Sequence, residues 1–452
     1  MKTKYLIMSI IILFISCKKG LLDKKPDKAL VIPITLQDLQ ALLDNDGIFI
    51  LNQPALGEVG SDNYYLHPDV LTSLYVVERN SYLWAKDIYE GETFISDWDA
   101  PYQQVFYANT VLEKVNKISV NAVNQKDWNN VKGSALFDRS FAFYNLAQIF
   151  AKPYDSSTAN TDLGIPLRLT SDFNEPVGRA TVQDTYNQII SDLVEAKDLL
   201  PVTPMGKNRP SKPAVFSLLA RTYLSMGDYN NAFFFADSCL QLYSTLIDYN
   251  SIDTTAYYSF PPYGNTNDEI IYHGSLANYS GLRNSAIIDS VLYKSYTGND
   301  LRKSVFFTFR DTNVVFKGSY WGSRSLFGGI ASDEIYLIRA ECNARRGNTM
   351  AAMNDLNTLL QTRWRTGTFI PYSAINSNDA LNQILSERRK ELLLRGLRWT
   401  DLRRLNKDPR FAVTLIRNIN GQAYALPPND NRYVYPIPNE EILYNNIPQN
   451  PR

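Results

Sequence analysis

One segment, residues 211–243, restricts the possible folds of this chain more than any other. Apolar side chains recur at intervals of three and four residues on both sides of Gly227, which predicts two helices that each have one apolar face. Gly227 is typical of a helix end, and the side chain of Asp228 can cap the helix that follows. Because two helices cannot cover both faces of the hairpin that they form, this segment must pack against neighbouring helices.

The hairpin contains two small residues, Ala220 and Ala232, that allow its backbones to approach closely. Their spacing with Tyr223 and Gly227 resembles the tetratricopeptide helix pair, and an unrelated helical hairpin is the alternative on these residues alone. The same pattern recurs later in the chain at Ala340, Gly347, Ala352 and Leu356. This recurrence predicts a second, related helix pair.

Long insertions separate the predicted helix pairs, so the chain is not a tandem array with a fixed period. Helical parts are predicted at about 98–150, 181–243 and 331–405, and loop-rich parts at about 50–97 and 244–330. The second insertion contains the strand-like runs EIIYH, VFFTF and NVVFK. We therefore predict a mainly α fold, in which tetratricopeptide-like helix pairs form a scaffold and the insertions form a loop-rich lobe with short strands.

The N-terminus has the organisation of a secretory signal. Two lysines precede an apolar run that is too short to span a bilayer. The run ends in LFISC, which resembles a bacterial lipobox, so we expect residues 1–16 to be removed and Cys17 to carry acyl chains. An ordinary signal peptide with an incidental cysteine is the alternative. Residues 17–28 are polar and basic, as expected of a tether that joins the anchor to a single domain at 29–452.

Composition restricts the possible partners and cofactors. With 46 Lys and Arg against 46 Asp and Glu, nothing favours nucleic acid as a partner. The chain has two histidines, which argues against a histidine-built metal centre but leaves carboxylate sites open. Cys239 and Cys342 fall on apolar helix faces, where we expect buried, unpaired thiols. The sequence therefore indicates neither a metal nor a cofactor.

Several segments along the chain have characteristic sequences. The N-terminal part contains LLDKKPDKALVIPITLQDLQALLDN and LGEVGSDNYYL. The first predicted helix pair contains WDAPYQQVFYANTVLE and ends in FAKPYD, with GIPLRL after it. The last part contains SERRKELLLRGLRWTDLRRLNK and YPIPNEEILYNNIPQNP. In this order the segments resemble the SusD/RagB family of surface lipoproteins. The residues after Cys17 are basic instead of acidic, so an outward-facing location is implied by the resemblance alone.

The resemblance implies non-covalent capture of a nutrient oligomer, with no enzymatic activity and no cofactor. It implies three partners: a SusC-like TonB-dependent transporter, a lipid anchor in the outer membrane, and an oligosaccharide or peptide ligand. In this hypothesis the helix pairs form a rigid scaffold docked on the transporter. The loop-rich lobe acts as a lid that closes the ligand against the mouth of the barrel.

Aromatic and polar residues outside the predicted helices are the candidate ligand contacts. The chain contains 29 tyrosines, and the C–H face of a sugar can lie on an aromatic ring. The candidates are Asp62, Asn63, Tyr64, Tyr65, Trp84, Tyr320 and Trp321. Packing inside the protein is the alternative for each of these rings. Four further tryptophans lie on helical faces and are predicted to pack in the core: Trp98, Trp128, Trp364 and Trp399.

Two other functions remain open. The block RRKELLLRGLRWTDLRR concentrates charge, but Glu387, Glu391 and Arg395 have helical spacing, which indicates structural ion pairs. A glycoside hydrolase would need two carboxylates across a scissile bond, and no motif indicates such a pair. A pure protein adaptor would have a concave groove and no cluster of aromatic residues in its loops. The sequence does not distinguish a glycan ligand from a peptide ligand.

Overall fold

The structure, a computed structural model, describes residues 33–262, 267–318 and 320–452. The predicted signal peptide, the lipidation site Cys17 and the tether lie outside these residues. Within the described ranges, no helix is both long enough and apolar enough to cross a membrane. The division of the chain into signal, tether and a single domain stays a prediction.

The described chain consists mainly of helices connected by long segments that contain short strands. The helices, in chain order, are α1 (Leu36–Leu43), α2 (Asp46–Phe49), α3 (Leu56–Val59), α4 (Pro68–Leu71), α5 (Val76–Tyr82), α6 (Ser96–Val115), α7 (Gln125–Phe150), α8 (Val182–Leu199), α9 (Lys212–Met226), α10 (Tyr229–Leu242), α11 (Ser290–Ser295), α12 (Arg302–Phe306), α13 (Ser332–Arg345), α14 (Thr349–Gln361), α15 (Ser377–Glu391), α16 (Arg398–Leu405) and α17 (Asn439–Asn445). The strands are β1 (Tyr64–Tyr65), β2 (Leu163–Pro166), β3 (Arg179–Thr181), β4 (Ile270–Tyr272), β5 (Ile287–Ile288), β6 (Phe307–Arg310), β7 (Asn313–Phe316), β8 (Ile330–Ala331), β9 (Leu415–Ile419) and β10 (Gln422–Leu426).

The hairpin predicted at residues 211–243 is formed by α9 and α10. The side chains of Ser211 and Asp228 each accept a hydrogen bond from a backbone N–H in the first turn of the helix that follows. Between the helices, Gly227 has a φ of +77°, in the left-handed region that glycine adopts without strain. The hairpin prediction is therefore confirmed, including its turn.

Antiparallel helix packing builds the scaffold. Helix α7 packs against both α6 and α8, and α9 packs against α10. Helix α13 packs against α14, and it also contacts α10 and α15, which joins the two predicted hairpins. The small residues Ala220, Ala232, Ala340 and Ala352 are fully buried at these contacts. The mainly α fold with tetratricopeptide-like helix pairs is confirmed.

The strands lie mostly in the insertions and pair only two at a time within the described chain. The antiparallel pairs are β1 with β5, β2 with β3, β4 with β8, β6 with β7, and β9 with β10. The predicted strand-like runs are found as β4, β6 and β7, but Val305 and Phe306 of VFFTF belong to α12. The first insertion is more helical than expected, because it contains α3, α4 and α5.

Buried ion pairs join the second insertion to the scaffold. The Arg302 guanidinium of α12 donates to both carboxylate oxygens of Asp300, at 2.9 and 2.7 Å. It also contacts Glu387 at 2.6 Å and Glu391 at 2.9 Å, both on α15. All four side chains are almost completely buried. These glutamates therefore have the structural role that their spacing predicts, although their partner lies on another element.

Helix α15 ends at Glu391, so Arg395 lies outside it, although the spacing of Glu387, Glu391 and Arg395 predicts that all three belong to one helix. Leu394 and Gly396 have φ values of +56° and +74°, which an α-helix cannot contain. The chain turns there, and the buried Arg395 reaches Asp333 at the start of α13, at 2.9 Å. Arg395 therefore lies beyond the end of α15, where it forms a tertiary ion pair with Asp333.

The predicted core residues are largely where the sequence places them. Trp98, Trp364 and Trp399 are buried, and Trp128 is half-buried against the core. Trp364 lies beyond the end of α14 and bridges to Asp300, so its predicted place on a helical face is wrong. Cys239 and Cys342 are buried free thiols, as expected.

Candidate functional site

An open cavity of about 430 Å³ lies where the first insertion, the start of α11, the end of α15 and the β9–β10 hairpin meet. Strand β1 forms one wall, and the hairpin forms another. The lining residues used below are Asp62, Tyr64, Tyr65, Trp84, Asp289, Val291, Arg389, Ile416 and Arg417. Four of the seven sequence candidates line this one cavity, which makes it the candidate ligand site.

The two tyrosines of β1 have opposite orientations because successive strand residues point to opposite faces. Tyr64 pairs with Ile288 and Tyr65 with Ile287 of β5. The Tyr64 ring is buried, and its hydroxyl donates to the carbonyl oxygen of Val59 at 3.0 Å. The Tyr65 side chain remains 43% exposed. Tyr65 is therefore the candidate whose ring a ligand can reach directly.

Asp62 is held between two arginines. Its carboxylate accepts two hydrogen bonds from Arg398, at 2.7 and 2.9 Å, and lies 3.2 Å from Arg389. Burial alone would raise the pKa of Asp62, but the charges of Arg398 and Arg389 outweigh it and hold the pKa well below its usual range. Asp62 therefore remains ionised and is already bound by cations before any ligand arrives.

Arg417 of β9 fills the floor of the cavity. Its guanidinium lies 3.4 Å from the ring centroid of Tyr82 and 4.6 Å from that of Trp84, so it stacks on both aromatic side chains. It also donates to the carbonyl oxygen of Ser61 at 2.6 Å. Burial lowers the pKa of Arg417. The side chain therefore fixes the hairpin against the first insertion.

Trp84 is a structural residue of this floor. Only 3% of the side chain is exposed, and its indole N–H donates to the carbonyl oxygen of Gly60 at 3.0 Å. Trp84 also has a φ of +52°, which is strained for a large L-residue. Such strain persists where the surrounding structure imposes it, often at functional sites. Because Trp84 is buried and Arg417 lies over its ring, it offers little accessible surface to a ligand.

Asn63 lies beneath the cavity and does not line it. Its side-chain amide donates to Glu58 at 3.3 Å, and its side-chain oxygen accepts from Arg389 at 3.2 Å. Its backbone oxygen accepts from the N–H of Asp289 at 3.0 Å. Asn63 therefore connects the wall residues Arg389 and Asp289 to the first insertion.

Tyr320 and Trp321 are in another part of the loop-rich lobe and do not line this cavity. The Tyr320 hydroxyl donates to Glu269, and its buried ring lies 4.2 Å from the Arg395 guanidinium. The half-buried Trp321 donates its indole N–H to Ser325 at 2.7 Å. The loop aromatics thus do not form one continuous surface, and a role of these two residues in ligand contact stays a prediction.

The sequence reasoning missed the contribution of the β9–β10 hairpin. An Asn420-Gly421 pair joins two runs of alternating polarity, which is a strong hairpin signal and could have identified it. Its residue Ile416 is 62% exposed beside the cavity, and Val291 of α11 is 75% exposed on another wall. Together with Tyr65, these side chains form an apolar rim over a charged floor.

The described residues of the site do not form a cluster of metal-ligating side chains. Among the described residues, no group of three or more His, Cys, Asp or Glu side chains is placed to hold a metal ion. Asp289 uses one carboxylate oxygen to cap α11, accepting from the N–H of Leu292 at 2.8 Å. With Asp62 bound to arginines, the site offers aromatic and apolar contact together with polar groups for hydrogen bonds.

Comparison with protein families gives two matches that together cover more than half of the chain. Residues 21–224 match a family described as "Starch-binding associating with outer membrane". Residues 333–452 match one described as "SusD family". The second match contains α14 to α17 and the β9–β10 hairpin, and the first contains β1 and Trp84, so both include walls of the cavity.

Two curated relatives are SusD-like proteins of Formosa agariphila. One is 29% identical over 138 residues, which cover 30% of this chain and 25% of the relative. The other is 38% identical over 93 residues, which cover 20% of this chain and 18% of the relative. The similarity to both therefore spans a quarter of their length or less.

Solved structures share the fold over almost the whole chain. A SusD superfamily protein from Bacteroides thetaiotaomicron has a TM-score of 0.74 at 21% identity, covering 93% of this chain and 100% of the other. A putative sugar binding protein from Bacteroides vulgatus has a TM-score of 0.71 at 23% identity, covering 92% and 98%. At these identities the likeness demonstrates a common fold.

Proposed function

Because this chain belongs to the SusD/RagB family, we propose that it captures nutrient oligosaccharides without covalent chemistry and passes them to a SusC-like TonB-dependent transporter. The protein would act as the lid of that transporter on the outer face of the outer membrane. The observation that supports this proposal is the convergence of Asp62, Tyr64, Tyr65 and Trp84 on one open cavity.

The rim of the cavity suits a sugar. The exposed Tyr65 ring offers a platform for the C–H face of a pyranose, and Val291 and Ile416 add apolar contact on other sides. One such stacking contributes roughly 0.5–1.5 kcal/mol beyond the buried area. A few contacts of this kind give a Kd between micromolar and millimolar, which allows the ligand to be released to the transporter.

The carboxylates of the cavity favour binding over hydrolysis. A glycosidase needs a general acid with a raised pKa and a second carboxylate across the bond. Here the two arginines depress the pKa of Asp62, and Asp289 caps a helix. We therefore propose a binding protein and not an enzyme.

Replacement of Tyr65 by alanine should weaken oligosaccharide binding about five- to tenfold, because the stacking platform is lost. Isothermal titration against a panel of neutral glycans would first identify a ligand and then compare the variants. Tyr65→Phe should retain most of the affinity, since the ring remains. Tyr444→Ala, at a tyrosine that is exposed on α17 and does not line the cavity, is the matched control. If Tyr65→Ala binds the oligosaccharide with unchanged affinity, this cavity is not the ligand site. If the protein binds peptides but no glycan, its ligand is a peptide.

The membrane anchor has its own test. Replacement of Cys17 by alanine should abolish labelling with a radioactive or clickable fatty acid and release the protein from the membrane fraction, because the acylated residue is lost. Cys239→Ala, at a buried thiol, is the control and should leave labelling intact. Lipid labelling that persists in Cys17→Ala would contradict the proposed anchor.

A further inference from the structure

A second open cleft, of about 840 Å³, lies on the loop-rich lobe beside the β6–β7 hairpin. Its other walls are the segment 254–257, α11 and the N-terminal part of α12. It shares no lining residue with the cavity around Tyr65. Five aromatic residues of the second insertion line it: Tyr257, Tyr293, Phe307, Phe309 and Phe316.

Four cationic side chains line this cleft: Lys303, Arg310, Lys317 and Arg365. Among the residues that the structure describes, none of the four forms an ion pair with a carboxylate. Lys303 and Arg310 instead donate to the carbonyl oxygens of Tyr296 and Asn284, at 3.1 and 2.6 Å. In a chain with equal numbers of acidic and basic residues, this is a local excess of positive charge.

The neighbouring carboxylates are already bound elsewhere. Asp300 lines the cleft, but it is completely buried and its two oxygens accept hydrogen bonds from Arg302. Asp253 attracts Lys317 through space, yet its carboxylate accepts from the N–H and the hydroxyl of Thr255, at 2.8 and 2.6 Å. The hydrogen bonds from Thr255 leave Asp253 charged, so it offsets part of the charge of Lys317, while Lys303, Arg310 and Arg365 have no carboxylate partner among the described residues.

Exposed aromatic rings accompany these cations. Phe309 on β6 is 63% exposed, and Tyr257 on the facing segment is 76% exposed. Tyr293 of α11 lies between them and the core, packed edge-on against Phe309 with ring centroids 6.1 Å apart. Large aromatic side chains exposed in a cleft mark binding surfaces. Flat apolar rings combined with cations match a saccharide that carries anionic groups.

We propose that this cleft is a second ligand site, which binds an acidic oligosaccharide through Arg310, Arg365, Lys303 and Lys317 and through stacking on Phe309 and Tyr257. The preference for a saccharide over an acidic peptide rests on the function proposed above. The negative groups can be carboxylates of uronic acids or sulfate esters, because both accept charge-assisted hydrogen bonds from arginine and lysine.

The test uses the full-length protein, with short oligogalacturonate and chondroitin sulfate oligosaccharides as probes. Arg310→Gln/Arg365→Gln should weaken binding of at least one probe by about tenfold or more, because two charged contacts are lost. Phe309→Ala should weaken it about three- to tenfold. Increasing the salt concentration should weaken binding to the unmodified protein more than to the double variant.

Two control variants distinguish the effect of the arginines in this cleft from the effect of a change in the net charge of the protein. Lys117→Gln/Lys126→Gln removes the same charge from exposed positions outside the cleft and should leave the affinity unchanged. Arg310→Lys/Arg365→Lys keeps the charge and should restore part of the affinity. Both arginines are exposed, so these variants should fold normally.

The outcomes distinguish this proposal from the first one. Loss of acidic-probe binding in the double variant but not in Tyr65→Ala supports a separate second site. Loss in Tyr65→Ala alone would place the acidic ligand in the first cavity and overturn this proposal. The proposal would also be overturned if neither oligosaccharide probe binds. It would likewise be overturned if an oligoglutamate peptide binds as tightly as the oligosaccharides and Phe309→Ala does not change the affinity.

Discussion

Replacement of Arg363 by methionine should lower the free energy of unfolding by about 3–5 kcal/mol, among the largest single effects expected in this protein. Arg363 is completely buried between α14 and α15, and it donates to Glu391 at 2.7 Å and to Glu269 at 2.8 Å. Glu269 is 94 residues away in the chain. The variant would leave the buried Glu269 without its cation and remove one of the two arginines that contact Glu391.

The cause is desolvation of the remaining charges. Burial opposes the charged form of Arg363, but attraction by Glu269 and Glu391 outweighs it and raises the pKa of Arg363 well above its usual value. Burial raises the pKa of Glu269 to about 8, and Arg363 is the main cause that opposes this rise. Without the guanidinium, Glu269 would therefore be protonated, and the ion pair that joins the two segments would be lost. Adding Glu269→Gln to the Arg363→Met protein should therefore recover part of the lost stability.

Chemical denaturation followed by circular dichroism measures this effect. Arg365→Met is the matched control, since this neighbouring arginine is exposed and should change the free energy of unfolding by less than about 0.5 kcal/mol. A loss below about 1 kcal/mol in Arg363→Met would show that the buried network does not hold the loop-rich lobe to the scaffold.

Replacement of Asp138 by asparagine should make the protein more stable at neutral and basic pH and hardly change its stability near pH 4. Asp138 is buried on α7, where its carboxyl accepts a hydrogen bond from the Tyr272 hydroxyl of β4 at 3.0 Å. Burial is the main cause that raises the pKa of Asp138 to about 8. Asparagine can accept the same hydrogen bond but never carries a charge.

The direction of this pH dependence follows from the number of protons that the folded and unfolded states bind. An unfolded aspartate has a pKa of about 3.9, so between pH ~4 and ~8 the folded state binds more protons than the unfolded state. The stabilising contribution of the protonated carboxyl is complete below pH ~4 and is lost as the pH rises toward ~8. The difference between Asp138→Asn and the unmodified protein should grow by up to about 1.4 kcal/mol per pH unit, to a total on the order of 6 kcal/mol.

Denaturation curves across this pH range test the prediction, because the other titrating groups contribute equally to both proteins. Asp127→Asn, at an exposed position in the first turn of the same helix, is the control and should change the free energy of unfolding by less than about 1 kcal/mol. A difference between Asp138→Asn and the unmodified protein that stays constant with pH would show that Asp138 is ionised in the folded state.

The helical part of the fold could be predicted in detail because its signals are local. Periodic apolar residues, a capping side chain at Asp228 and a glycine at position 227 act within one or two turns of the chain, and the structure contains each of them. The spacing of Glu387, Glu391 and Arg395 predicts one helix, but α15 ends at Glu391, because the chain turns at Leu394 and Gly396 and Arg395 makes a tertiary ion pair.

The candidate site could be predicted only in part. The SDNYY loop does line the cavity, as does Trp84, but the sequence does not tell which rings are accessible. Alternation along β1 exposes Tyr65 and buries Tyr64, and stacking of Arg417 from the distant β9 helps to bury Trp84. Tyr320 and Trp321 lie in another part of the lobe, which no local pattern indicates.

The sequence by itself determined the helix pairs, their caps and the positions of the insertions, because these depend on the order of apolar residues within a few turns. Only the tertiary structure decided which aromatic rings face solvent, which carboxylates are neutralised and where the two clefts open. Those properties depend on contacts between residues far apart in the chain, such as Arg302 with Glu387 and Arg417 with Ser61. Burial and charge pairing arise from such contacts, and no stretch of neighbouring residues specifies them.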